Sequence, residues 1–205
     1  MSDVLLDPPA IALCLRRIAT EIIERGNVRA LVDGTARQPP ILVAVRRGGE
    51  ALAKRIGALA VEAGSPALPF GVVDITLYRD DAATALANAR IGPSHIPISV
   101  DGRRVVLVDD VLHTGRTIRA AVDAVLDYGR PSVIELAVLV DRGGRELPIQ
   151  ADYVGRTVDV PRGSRVEVMV KRTGPRQEDE EPWALIIPPA GEPNREAAPP
   201  AEEPR

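Results

Sequence analysis

Apolar and polar positions fall into a repeating block pattern along the chain. Ile11, Leu15, Ile18 and Ile22 recur at helical spacing after Asp7-Pro8-Pro9, a suitable helix start, and Gly26 is the expected stop. "ILVAV" (41–45) is an unbroken apolar run of the kind buried on both faces of a parallel sheet. "RRGG" (46–49) reads as a turn, and "EALAKRIGALAVEA" (50–63) as a helix closed by Gly64. "GVVDITLY" (71–78) is β-rich, "RVVLV" (104–108) is a further strand, and "RTIRAAVDAVLDYG" (116–129) is a helix ending in glycine. "SVIELAVLV" (132–140) is another buried strand, and shorter β segments follow around 151–155, 166–170 and 183–187. Residues 79–97 are polar and too long for a passive connector.

Strand, turn, helix and strand thus recur three times. The pattern predicts an α/β fold: a mostly parallel twisted sheet flanked by helices, with the late short strands forming a small hood over one edge. One domain over residues 1–187 is expected. Residues 188–205 hold six prolines and four glutamates, too little apolar surface to offset ordering, and are expected to be a disordered tail.

Composition narrows the function classes. Hydrophobic residues make up 45% and charged residues 27%, as in a soluble globular protein, and with aromatics at 2% the core must be aliphatic. A net charge of −3 argues against a general polyanion binder but leaves room for a local basic face. That face would be arginine: the chain has 24 Arg and 2 Lys, and arginine suits bidentate phosphate recognition. Cys14 is the lone cysteine, on an apolar helical pattern, so it reads as a buried thiol, which fits a reducing compartment. The first ten residues lack the pattern of a signal peptide, and no run approaches the roughly 18 apolar residues of a membrane span. A cytoplasmic protein without membrane partners is expected.

Parallel sheets bind ligands beyond the carboxyl ends of their strands. Three turns therefore matter, at 46–49, 109–115 and 141–145. The second belongs to "VVLVDDVLHTGRT" (105–117), where a buried strand leads into two adjacent acids. Burying like charges side by side is costly without a compensating partner. Thr114, Gly115, Arg116 and Thr117 then open a helix, where glycine lets an anion approach and amide hydrogens point outward. This is a phosphate cradle, but not a Walker loop. Asp109 and Asp110 suit two sugar hydroxyls, held directly or through a hydrated Mg²⁺. A phosphate beside a vicinal diol describes a ribose 5-phosphate.

These residues resemble the 5-phosphoribosyl 1-diphosphate (PRPP) motif of type I phosphoribosyltransferases. "LRRIATEIIERG" (15–26), "VDITLYRDD" (73–81) and "YGRPSVIELAVLVDRGGRELPIQADYVGR" (128–156) are similar to the PyrR family of pyrimidine-operon regulators and uracil phosphoribosyltransferases, and the likeness spans roughly residues 5–172. The resemblance implies uracil + PRPP → UMP + diphosphate with Mg²⁺, through an oxocarbenium-like centre. It implies that Arg46, Arg47, Gly48 and Gly49 form the diphosphate loop, and that Asp109, Asp110, Val111, Leu112, His113, Thr114, Gly115, Arg116 and Thr117 hold the sugar phosphate. It places Arg79 in a loop over PRPP, Arg142 near base and phosphate, and Val166 in the hood over the base. Gly48 departs from the commonest family form, which has arginine there. His113 stands where tyrosine is common and is read chiefly as a cover over the ribose. His95 carries no signal.

The resemblance also implies UMP-dependent binding of a leader-mRNA hairpin, and thereby transcription termination. Arg16, Arg17, Arg25, Arg145 and Arg156 are the candidate RNA contacts. Thr20, Gly144 and Gln150 stand where attenuator members have histidine, histidine and arginine. Two alternatives to a catalytic protein of this family stay open: a PRPP- or UMP-sensing RNA-binding regulator with little turnover, and a purine or orotate enzyme. Homodimers or higher assemblies are expected from the family.

Overall fold

The computed structural model describes residues 3–33, 38–46, 48–76, 94–161, 163–172 and 180–188. Arg47, Arg79 and tail residues 189–205 lie outside them. In chain order the elements are β1 (Asp3–Leu6), α1 (Pro8–Asp33), β2 (Ile41–Val45), α2 (Gly49–Glu62), β3 (Phe70–Val73), β4 (Arg104–Leu112), α3 (Arg116–Leu126), β5 (Val133–Asp141), β6 (Tyr153–Thr157), β7 (Arg165–Arg172) and β8 (Glu180–Ile187).

The apolar runs pair as a five-stranded parallel sheet in the order β3-β2-β4-β5-β6. Strand periodicity divides its core into two layers. Leu42, Ala44, Val106, Val108, Ala137 and Leu139 face Ile11, Leu15, Ile18 and Ile22 of α1 and Leu52, Ala53 and Ile56 of α2. Ile41, Val43, Val105, Leu107, Leu136 and Val138 face Ile118, Ala121 and Val125 of α3. The carboxyl ends of β2, β4 and β5 are thereby fixed side by side.

The structure corrects several element boundaries. Gly26 does not end α1, which continues to Asp33. The glycine answers a packing need instead: a Cβ there would stand 2.9 Å from Arg104 Nη1. That guanidinium donates to the Ile22 carbonyl at 3.0 Å and to Glu135 Oε2 at 2.7 Å. β3 stops at Val73, well short of residue 78, and its outer edge pairs with His95. β4 runs on through the acidic pair to Leu112, so the acids end a strand and do not sit in a turn. The segment at 151–155 joins the main sheet as β6 and is not part of the hood. The hood is an antiparallel sheet, β1-β8-β7, whose first strand had no clear sequence signal.

At the amino end of the sheet, Glu135 is 2% exposed and accepts from Arg104 and from the Tyr153 hydroxyl at 2.9 Å. Arg25 lies over the Tyr153 ring, 5.2 Å from its centre. Burial pushes the Tyr153 phenol up to about 12, so it remains a donor at any physiological pH. Tyr153→Phe should cost about 1.5 kcal/mol in urea denaturation, the loss of a hydrogen bond to a charged acceptor. Its kinetic constants should stay at wild-type values, because the cluster lies at the opposite end of β4 and β5 from the acidic pair.

Candidate active site

The sheet's carboxyl edge assembles most of the residues singled out by sequence. β2 delivers Arg46, whose amide donates to Val73 O at 2.8 Å. α2 then starts directly against the end of β4. A Cβ on Gly49 would lie 2.0 Å from the Val108 carbonyl oxygen, so only glycine permits this approach. A Cβ on Gly48 would lie 2.3 Å from the Asp110 carboxylate. The diphosphate-loop candidates and the acidic pair therefore touch.

Asp109 is 5% exposed and Asp110 is half-buried. Each carboxylate is held by a backbone amide: Asp110 N–H donates to Asp109 Oδ1 at 3.0 Å, and Val111 N–H to Asp110 Oδ1 at 2.8 Å. These bonds do not compensate the pair. Burial, and then the neighbouring Asp110 charge, raise the Asp109 carboxyl well above its ordinary range. Burial raises Asp110 as well. Such a pair is set up for hydroxyl donors or a hydrated cation. Among the described residues no cluster of three or more His, Cys, Asp or Glu forms a metal cage. Two carboxylates fit Mg²⁺, which keeps several waters and takes further oxygens from a phosphorylated ligand.

Beyond Leu112 the chain makes the cradle. Gly115 is the N-cap of α3 with φ of 91°, a left-handed conformation that strains other residues. Arg116 N–H donates to Thr114 Oγ1 at 3.4 Å, and the Arg116 side chain pairs with Glu146 at 2.6 Å. The third turn folds onto the second. Glu146 and Leu147 amides both donate to Thr114 O at 3.0 Å, and Arg142 N–H donates to Leu112 O at 3.1 Å. Arg142 Nε is buried with no hydrogen-bond acceptor among the described residues, a donor suited to an anionic ligand. His113 is exposed; partial burial and then the Arg142 charge lower its imidazole, which favours the neutral ring. A Cβ on Gly144 would stand 2.8 Å from His113 Nε2, so the glycine at 144 leaves room for this histidine. Val166 is buried in the hood and belongs to the α1/α2 core layer.

The arginines proposed from sequence for RNA have varied surroundings. Arg145 is committed within the site: it donates to Ile149 O at 2.9 Å, His113 O at 2.8 Å and Asp141 Oδ2 at 2.5 Å. Arg17 holds the Val154 and Gly155 carbonyls at 2.8 and 2.7 Å, and Arg25 pairs with Asp152 at 2.7 Å. Arg16 is exposed near Glu62, and Arg156 is exposed on β6. Arg16, Arg17 and Thr20 line a shallow depression on α1 with Leu13, Glu21 and Glu24. Asp74 was not singled out from sequence, although it follows the apolar β3 run directly. It is buried beside Arg46.

Comparison with known proteins identifies the family. A family model for the phosphoribosyl transferase domain matches residues 1–168. The bifunctional protein PyrR of Pelotomaculum thermopropionicum is 49% identical over 167 residues, covering 82% of this chain and 87% of that protein. The chain belongs to the PyrR family. The PyrR of Geobacter sulfurreducens is 50% identical over 166 residues, covering 81% of this chain and 89% of its own. Among solved structures, a hypoxanthine phosphoribosyltransferase of Trypanosoma cruzi superposes with a TM-score of 0.62 at 18% identity, over 91% of this chain and 97% of that one. That likeness shows the fold: this chain has the type I phosphoribosyltransferase architecture. Among the described residues of this PyrR-family chain, no helix is long and apolar enough to cross a membrane.

Proposed function

We propose that this phosphoribosyltransferase converts uracil and PRPP to UMP and diphosphate, and that it serves in the cytoplasm as a regulator of pyrimidine genes. The observation that supports it best is the joining of three turns at one sheet edge: Gly48 against Asp110, and Thr114 O bridged to residues 146 and 147. The 5-phosphate lies in the cradle of Leu112, His113, Thr114, Gly115, Arg116 and Thr117. Asp109 and Asp110 hold the ribose hydroxyls, with Val111 completing the strand end. Asp109 and Asp110 would also hold a hydrated Mg²⁺ accompanying PRPP, and such an ion would supply charge neutralisation for the departing diphosphate.

Arg46, Arg47, Gly48 and Gly49 receive the diphosphate, with loop amides and arginines as donors. Arg79 covers PRPP, and closure there excludes water from the activated sugar. Uracil lies between Arg142 and the hood at Val166. The base nitrogen forms a bond to the anomeric carbon as the carbon–oxygen bond to diphosphate breaks, and the nitrogen's proton is released. The protein's share is alignment and stabilisation of the leaving group. Residues 1–187 act as one catalytic domain, as a homodimer or higher homo-oligomer, with 188–205 as an appended tail.

The word "bifunctional" in the names of its relatives supports a second activity, binding of a leader-mRNA hairpin strengthened by UMP. Arg16, Arg17, Arg25 and Arg156 supply phosphate contacts, with Arg145 as a further candidate. Steady-state kinetics across free bases test the catalytic reading: UMP formation should depend on both uracil and PRPP, and purines should be poor substrates. Binding to the leader transcript should tighten with UMP and weaken with salt. RNA binding without product formation would support the non-catalytic regulator instead.

A further inference from the structure

We infer that Asp74 is a positioning residue for the diphosphate loop, acting through Arg46. The inference rests on the substrate placement proposed above and adds what aims the loop's first arginine. Asp74 directly follows β3, and its side chain is 6% exposed. A carboxylate so buried needs donors or a cation. Its Oδ1 accepts from the Thr76 amide at 2.9 Å and the Thr76 hydroxyl at 2.5 Å. Its Oδ2 lies 3.7 Å from Arg46 Nε.

The backbone repeats the connection. Arg46 N–H donates to Val73 O at 2.8 Å, and Asp74 N–H donates to Ser94 Oγ at 2.8 Å. One acid therefore joins the end of β2, the end of β3 and the chain returning at Ser94. Its two oxygens divide the work: one secures the local turn, and the other faces the guanidinium. Arginine loses much side-chain entropy when an anion orders it, and a guanidinium held in advance loses less. Asp74 cannot serve the diphosphate itself, because like charges repel. The cation its Oδ2 faces is Arg46, and through that side chain it bears on the loop.

Asp74→Asn tests this directly. The amide keeps an oxygen for Thr76 and puts a donor where the guanidinium sought an acceptor. The KM for PRPP should rise about tenfold, diphosphate product inhibition should weaken in parallel, and the KM for uracil should stay within about twofold. Arg46→Ala alone should lose as much PRPP affinity as the double variant, because the two residues form one unit. Wild-type PRPP kinetics in Asp74→Asn, or effects that multiply with Arg46→Ala, would overturn the inference. If Asp74→Asn does not fold, Thr76→Ala loosens Asp74 without removing it. It should raise the KM for PRPP about threefold with the uracil KM unchanged, and no change would likewise overturn the inference. Calorimetric titration of the wild-type protein separates the two levels of failure. No binding of PRPP or diphosphate removes the substrate placement and this inference together, whereas wild-type binding with an unaltered Asp74 series removes this inference alone.

Discussion

Asp109→Asn should melt at a higher temperature than the wild-type protein near pH 7 and yet lose most of its turnover. The Asp109 carboxyl is raised well above its ordinary range by burial and then by the charge of Asp110. In the unfolded chain it titrates as an ordinary carboxyl. A group raised on folding contributes stability that is fully present below its unfolded pKa and is lost as pH rises through the folded one. At neutral pH the wild-type protein carries this penalty, and a neutral amide removes it. The Asn oxygen can still accept the Asp110 amide that Asp109 Oδ1 accepts at 3.0 Å. Each kcal/mol relieved should appear as about 2–4 °C in Tm for a domain of this size. The gain should vanish as the pH is lowered towards the unfolded carboxyl range. Turnover should fall at least about tenfold in Asp109→Asn and in Asp110→Asn, because each loses a charged acceptor for the sugar. Calorimetric melting at several pH values, paired with UMP formation, checks both halves. Undiminished activity in Asp110→Asn would remove the acidic pair from the mechanism.

Gly49→Ala should behave in the opposite manner, losing stability and activity together. Its Cβ would lie 2.0 Å from a backbone carbonyl at the end of a central strand, which no rotamer change relieves. Either α2 or β4 must shift, at a cost above about 3 kcal/mol, the severe end of overpacking. Urea denaturation should show the loss, and the displaced loop should leave little catalysis at temperatures where the variant is still folded. Gly48→Ala makes an instructive contrast. Its obstacle is the Asp110 carboxylate at 2.3 Å, a side-chain terminus that can swing away. That variant should remain folded and pass its strain to the acid instead. The same geometry applies to any side chain at position 48, which requires Asp110 to lie elsewhere.

The sheet was legible because its strands announce themselves: every residue of "ILVAV" is buried, as its unbroken apolar run implied. The acidic strand end and the glycine that caps α3 were legible because a buried apolar run leads into two acids and then a short Thr-Gly helix start. What sequence missed depended on distant partners. Gly26 looked like a helix stop, since nothing nearby in the chain reveals that Arg104 needs its space. Arg145 was put forward as an RNA contact, yet it closes on Asp141 and on the carbonyls of His113, Gly143 and Ile149. Asp74 had no local pattern to mark it, for its ion-pair partner Arg46 lies just beyond the end of a neighbouring strand.

β1 was invisible for the same reason, and its pairing has a consequence for how the molecule is made. β8 lies between β1 and β7, so the hood's middle strand leaves the ribosome after every other described element, while one of its partners leaves before them. The described strands of the main sheet have all emerged once Thr157 has, but β1 must wait for β8. Joining such remote segments carries the largest loop-closure entropy in the fold and belongs late in assembly. A nascent chain can therefore have the carboxyl edge of the main sheet built while the hood is still missing.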